Sequence, residues 1–309
     1  MTSAIPVLFF DRALPDEFRD LVEDRALVVG PDLDDLPLAD AVMAGMQTWD
    51  AAAMARGPRL RVISRIGVGY DTVDVGAATA AGITVCYAPQ APTVSTAEHT
   101  IALLLAVTKG LGAATARAQQ GRAGARATAL ELDGRVLGLL GLGRIAHRVA
   151  AVGASFGMSI IAHDPFLPPS PGISEPATMV PFDELWAQAD VISLHAPATP
   201  ATRHIVNDRT LAMMQPGSYL INCARGALVD QVALLRALDS GRLAGAGLDV
   251  TEPEPLPAGH PLLEHPHALV TPHIASATAA GRRRLYQHAI DHALATLAGA
   301  PTSVVPEQC

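Results

Sequence analysis

Short apolar runs of three to six residues alternate with longer stretches of helical period along most of this chain. That rhythm reads as an α/β protein with parallel strands. The first part offers a strand at Ile5 to Phe10, a helix near Pro15 to Glu23 and a strand at Leu60 to Ser64. The stretch "STAEHTIALLLAVTKG" then opens with Ser95 and Glu98 in capping-box spacing and stays apolar on nearly every face until Gly110. A helix of that kind needs cover on several sides, as between two domains or two subunits. The following "GRAGARATALELDG" reads as a loop, and regular alternation resumes at Arg135.

From Arg135 onward each expected strand hands over at once to a polar or glycine-rich group. Val136 to Leu140 leads to Gly141, Ser159 to Ala162 to Asp164, and Val191 to Leu194 to His195. Ser218 to Asn222 leads to Cys223 and Arg225, Gly245 to Leu248 to Asp249, and Ala268 to Val270 to His273. Ligands of open parallel sheets bind outside the carboxyl ends of the strands, so these groups are expected to share one edge. The remaining histidines, His99, His147, His163, His204, His260, His265, His267, His288 and His292, read as ordinary, partly buried side chains.

Composition narrows the class. The chain has 309 residues, half of them apolar, enough for about two domains. A net charge of −8 with Lys109 as the only lysine speaks against nucleic acid or an anionic membrane as the main partner. The start "MTSAIPVLFFDR" has neither a basic segment nor a small-residue cleavage site, and the run Ile101 to Val107 is too short to span a bilayer, so a soluble cytoplasmic protein is expected. Cys86, Cys223 and Cys309 show no CxxC spacing, and no HExxH or Cys/His cluster suggests a metal.

The segment "LLGLGRIAHRVA" carries a GxGxxA fingerprint. Gly141 permits the tight turn, Gly143 lets a pyrophosphate approach the backbone, and Ala146 allows close helix packing. The amides opening the helix at Arg144 then face the phosphates. Asp164 falls near the offset of about 20 residues at which an acid holds a ribose hydroxyl. Its charge repels a 2′-phosphate, which favours NAD over NADP.

The ordered segments "RIGVGYDTVDVGAATAAGITVCYAP", "STAEHTIALLLA", "ELDGRVLGLLGLGRIAHRVA", "SLHAPATPATRHIVN", "MMQPGSYLINCARGALVD", "GRLAGAGLDVTEPEPL" and "VTPHIASAT" resemble the D-isomer-specific 2-hydroxyacid dehydrogenases, the family of D-3-phosphoglycerate dehydrogenase and of glyoxylate and hydroxypyruvate reductases. The resemblance covers nearly the whole chain. It implies two Rossmann/flavodoxin-like domains, with a contiguous NAD-binding domain (96–282) inserted in a split substrate, or lid, domain (1–95 plus 283–309), and a homodimer. It assigns catalysis to Arg225, Glu254 and His273. It gives the cofactor Gly141, Gly143, Arg144, Ile145, Asp164, Ala196, Pro197, Cys223, Ala224, Arg225, Asp249, His273 and Ser276, with Asp249 toward the nicotinamide carboxamide. Val68 and Gly69, with Arg225, fall to the substrate carboxylate. His195 reads as a wall of the cofactor groove.

The implied chemistry asks for these residue types. Reducing a 2-oxo acid builds negative charge on the carbonyl oxygen, which calls for a proton donor there and a fixed cation beside the carboxylate. Histidine titrates nearest neutral pH. Arginine stays charged and meets a carboxylate with a planar fork. A carboxylate beside the imidazole favours its charged form and orients it. Glu252 competes for that place, and spacing from Asp249 selects Glu254.

Three departures bear on the substrate. The loop before "ELDG" lacks the tryptophan often found in the family, and after "VTPHIASAT" only a terminal helix is expected. The segment "DAVMAGMQTWDAA" has no Lys, Arg or His, although a phosphorylated substrate adds about −1.5 to −2 charge. Arg65 either reaches inward or pairs with a local acid, while Met46 and Trp49 suggest a small, partly apolar pocket. The expected reaction is therefore NAD-dependent reduction of a small 2-oxo acid such as glyoxylate or hydroxypyruvate. A short D-3-phosphoglycerate dehydrogenase and an NAD(H)-sensing, corepressor-like protein stay open, whereas formate-oxidising relatives carry glutamine in place of Glu254.

Overall fold

The computed structural model describes residues 5–122, 129–167 and 177–309. The middle of the loop noted for its missing tryptophan therefore lies outside the described residues. The chain gathers into two compact units, Met1–Thr93 with Ala277–Cys309, and Val94–Ser276.

The first unit holds a parallel sheet of β1 (Val7–Phe10), β2 (Leu27–Val29), β3 (Ala41–Ala44), β4 (Val62–Arg65) and β5 (Thr84–Cys86), in the order β2-β1-β3-β4-β5. All four residues of β3 and of β4 are buried, as expected for a sheet covered on both faces. Strand alternation sorts them: Leu8, Phe10 and Met43 pack with Phe18, Tyr286 and Ile290, while Phe9, Val42 and Ile63 pack with Trp49 and Val85. Tyr286 and Ile290 come from the helix Ala279–Leu297, which starts where the Thr278 side chain accepts the Gly281 amide at 2.9 Å. The helix expected near Pro15 is a short 3-10 turn, Asp16–Leu21, anchored by buried Phe18 and Leu21.

Trp49 corrects an expectation. It is 0% exposed and meets Phe9 edge-on at 6.1 Å, so it belongs to the core and lines no pocket. A large ring gains more from full burial beside another ring than from a wall half open to water.

The second unit holds β6 (Val136–Leu140), β7 (Ser159–His163), β8 (Thr178–Met179), β9 (Val191–Leu194), β10 (Ser218–Asn222), β11 (Leu243–Leu248) and β12 (Ala268–Val270), all parallel in the order β12-β11-β10-β9-β6-β7-β8. The order reverses at β6, which pairs with β7 on one side and β9 on the other. That reversal opens the crevice where doubly wound sheets take ligands. Leu137, Leu139 and Ile221 face one core, while Leu140, Leu194 and Leu220 face the other. Truncating one of these, Leu137 to alanine for example, is expected to cost about 2–5 kcal/mol.

The helix Thr93–Thr108 begins two residues before Ser95, which is buried inside it, so the expected capping box does not form. Pro92 precedes the first helical residue, and the Thr93 amide donates to the Gln90 carbonyl at 3.3 Å; proline's fixed φ suits a helix entry and starts this one early. Among the described residues no single helix is long and apolar enough to cross a membrane.

Candidate active site

The turn after β6 is shaped by two glycines with different reasons. Gly141 has φ +89°, and a Cβ on it would lie 2.9 Å from the carbonyl carbon and oxygen of His195. Both the backbone conformation and the close approach of the neighbouring strand end exclude a side chain. Gly143 is different: a Cβ there would meet no atom within 4 Å. Its smallness serves no packing need of the protein and leaves open room beside the first turn of the helix Arg144–Ser155. Arg144 and Ile145 open that helix, whose amides form an anion-binding end.

Asp164, just past β7, holds this turn in place. Its Oδ2 accepts the Leu142 amide at 2.9 Å and its Oδ1 accepts the Phe166 amide at 3.0 Å. Each carboxylate oxygen retains acceptor capacity for a hydroxyl. The pieces fit a dinucleotide: an open turn, a helix start and an acid fixed to that turn. Ala196 and Pro197 follow β9 next to His195, whose Nε2 lies 3.0 Å from the buried Ser193 hydroxyl. Burial pushes the His195 imidazole down to about 4, so it is neutral at neutral pH.

β10, β11 and β12 are adjacent strands, and Arg225, Asp249 and His273 emerge from their ends. The turn after β10 is tied by Asn222, fully buried, which donates from Nδ2 to the Arg225 carbonyl at 2.8 Å and accepts the Ala224 amide at 3.0 Å. Arg225 is extended there, with Nη1 donating to the Ala224 carbonyl at 2.7 Å. Burial pushes the Cys223 thiol up to about 12, the Thr100 hydroxyl opposing and the Asp249 charge adding to it, so Cys223 is no nucleophile at neutral pH.

The loop after β11 presents two acids two residues apart. Glu254 Oε1 lies 2.5 Å from His273 Nδ1, with the two side chains 29% and 39% exposed. Glu252 receives both guanidinium arms of Arg203 at 2.9 and 3.0 Å, and His204 Nε2 stands 3.6 Å away. The Gln231 amide also donates to the Glu252 carbonyl. The Arg203 hydrogen bonds outweigh desolvation and, with the charges of Arg203 and His204, hold the Glu252 carboxyl below the usual range.

Asp249 does not point into open space. Its side chain is 0% exposed, its Oδ1 accepts the Thr271 hydroxyl at 2.6 Å and the Ile274 amide at 2.9 Å, and its Oδ2 accepts the Ala275 amide at 2.9 Å. Its carbonyl takes the His273 amide at 2.8 Å. Burial pushes its carboxyl up, but hydrogen bonds from His99, Thr271 and these amides outweigh that and leave it lowered. Ser276 closes this segment, and the unit, at its C-terminal end.

Val68 and Gly69 lie in the other unit, just past β4. Arg65, buried at the end of β4, donates to the carbonyls of Gly69 at 2.6 Å, Ala44 at 2.7 Å and Gly45. It is a brace for this edge of the sheet through backbone oxygens. Met46 is 58% exposed. Sequence reasoning misses Arg12, whose guanidinium would meet a Cβ on Gly45 at 2.7 Å, and which bears with Arg65 on the charge of Asp11. The available signal is Arg12's position just past β1, the neighbour of β3. Among the described residues no group of three or more His, Cys, Asp or Glu could hold a metal.

Residues 101–275 match the family model described as "D-isomer specific 2-hydroxyacid dehydrogenase, NAD binding domain". A D-3-phosphoglycerate dehydrogenase of Mycobacterium leprae is 41% identical over 287 residues, covering 91% of this chain and 54% of that protein. The chain spans a little over half the length of such curated relatives. The crystal structure of the TT0316 protein from Thermus thermophilus superposes with a TM-score of 0.89 at 39% identity, covering 97% of this chain and 99% of that one. A glyoxylate reductase from Paecilomyes thermophila gives a TM-score of 0.90 at 29% identity, over 99% and 100% of the two chains.

Proposed function

The chain belongs to the D-isomer-specific 2-hydroxyacid dehydrogenase family, and from that premise we propose that it reduces a small, unphosphorylated 2-oxo acid of the glyoxylate or hydroxypyruvate type with NADH, giving the D-2-hydroxy acid. The observation that carries the reading is the contact between His273 and Glu254 at 2.5 Å, on the strand edge that also bears Arg225. When bound, NADH supplies the hydride to the carbonyl carbon. His273 gives its proton to the carbonyl oxygen as charge develops there, and Glu254, in contact with Nδ1, fixes the orientation of the ring. Arg225 holds the carboxylate of the substrate, together with the backbone of Val68 and Gly69.

Gly141, Gly143, Arg144 and Ile145 would hold the pyrophosphate. Asp164 would take the ribose hydroxyls and repel a 2′-phosphate, so NADH is preferred to NADPH. Ala196, Pro197, Cys223, Ala224, His273 and Ser276 complete the cofactor's surroundings, with the buried Asp249 holding the His273 segment from behind rather than facing the nicotinamide. In this reading residues 96–282 serve the cofactor, residues 1–95 and 283–309 form the substrate lid, and the enzyme works as a homodimer in the cytoplasm.

A second reading, a short D-3-phosphoglycerate dehydrogenase, is favoured by the curated relatives and by Arg12, a cation beside Gly45 that could meet a phosphate. Against it, the Arg65 guanidinium serves three backbone carbonyls, and Asp11 places a carboxylate beside Arg12. One panel decides: glyoxylate, hydroxypyruvate and 3-phosphohydroxypyruvate, each with NADH and NADPH. The first two are expected to give the higher kcat/KM, with NADH. A higher value for the phosphorylated acid, lost in Arg12→Met, would establish the second reading. NADH binding without consumption by any 2-oxo acid would point to a sensor instead.

A further inference from the structure

His99 lies on the helix Thr93–Thr108, outside every motif assigned a chemical role, yet its Nε2 reaches 3.0 Å from the Thr271 hydroxyl and 3.2 Å from Asp249 Oδ1. Counting protons fixes the direction of these contacts. Thr271 has one hydroxyl proton, which goes to Asp249 Oδ1 at 2.6 Å. Toward Nε2 both oxygens can then only accept, so Nε2 carries hydrogen and donates.

What the donated hydrogen supports is the backbone of the segment that carries His273. Asp249 accepts the amides of His273, Ile274 and Ala275, one through its carbonyl and two through its carboxylate. His273 itself sits at φ +52°, in the left-handed region that a residue with a Cβ occupies only when its surroundings hold it there. A fully buried carboxylate that loses one of its donors is left short of hydrogen bonds and shifts to recover them. The amides attached to it move with it.

We propose that His99 is a positioning residue for His273: its Nε2–H, shared between Thr271 and Asp249, fixes the left-handed backbone that holds the imidazole against Glu254. The proposal rests on reading His273 as the acid–base group. It extends that site to a helix outside the strand-end motifs.

Three variants of the full chain test it. His99→Gln keeps an N–H near the position of Nε2, His99→Leu removes it, and Thr271→Val removes the hydroxyl at nearly constant shape. His99→Leu and Thr271→Val are expected to lower kcat on the order of tenfold or more, within the roughly 10²-fold that about 1 Å of misplacement brings, with the KM for NADH little changed. His99→Gln is expected to restore most of the rate. A second readout needs no turnover: the rate at which diethyl pyrocarbonate modifies His273, followed by mass spectrometry. That rate is expected to change in His99→Leu and Thr271→Val and to stay near wild type in His99→Gln. Equal modification rates in all four proteins overturn the proposal, as does a His99→Gln variant no better than His99→Leu. If His99→Leu fails to fold, Thr271→Val and His99→Gln decide between them. Wild-type protein inert toward every 2-oxo acid would refute the functional reading, while the modification rates would still decide the role of His99.

Discussion

Glu252 and Glu254 stand two residues apart in one proline-rich loop, each followed by a proline, and they have opposite fates. Glu252 meets Arg203, a partner that never releases its proton, through two guanidinium contacts. Glu254 meets His273 through a ring nitrogen, in a residue type suited to giving and taking protons. The same residue type meets a permanent cation in one case and an imidazole in the other. Role follows from the partner's chemistry, and the partner is chosen by which strand end the loop crosses.

The sharpest way to break this contrast is to remove the titratable partner. His273→Ala is expected to lose at least about 10²-fold in kcat, the low end for a missing general acid, measured by NADH oxidation at saturating 2-oxo acid. Near-normal turnover would take His273 out of the mechanism. Next in size is Glu254→Gln. A neutral amide holds the ring less firmly than the charge-assisted contact does, so kcat is expected to fall on the order of tenfold; a kcat equal to that of the wild type would dissolve the pair.

Glu252→Gln marks the other side of the contrast. Its rate is expected to change little, because exposed ion pairs contribute little and Gln231 still holds the loop through the Glu252 carbonyl. A loss of kcat as large as that of Glu254→Gln would erase the distinction. The smallest effect concerns a histidine with no acid beside it. His195 is held near 4 by burial, against 6.5 ordinarily. Between those values the unfolded chain binds the proton and the folded one does not, so this group's contribution is full above pH 6.5 and declines toward pH 4. His195→Gln is expected to flatten that part of the Tm-against-pH curve; a curve parallel to the wild type would show that His195 is not the source.

Much of this arrangement can be read from sequence because a parallel α/β unit writes its site into strand ends. Val136–Leu140, Val191–Leu194, Ser218–Asn222 and Ala268–Val270 match the strands observed, and Gly141, Arg225, Asp249 and His273 follow theirs. What escapes depends on reach across the fold. Arg12 and Gly45 come together because β1 pairs with β3, a pairing that no local pattern announces. Arg65 bonds to carbonyls, which every residue possesses and no sequence marks. Trp49 reads as a pocket residue because position along a loop says nothing of burial. His99 reads as an ordinary histidine because its partners, Asp249 and Thr271, lie far along the chain.

A Cβ on Gly226 would overlap the carbonyl of Thr251, in the loop that carries both acids. Natural variation therefore meets a dead end there. A glycine codon becomes an alanine codon by one base change, and the added methyl group would have to displace the backbone that leads to Glu254. On the proposed function, a lineage can lose the activity at position 226 while Arg225, Glu254 and His273 all stay in the sequence. In a divergent homologue, that position tells more about whether the acid loop is still seated than the presence of Glu254 does.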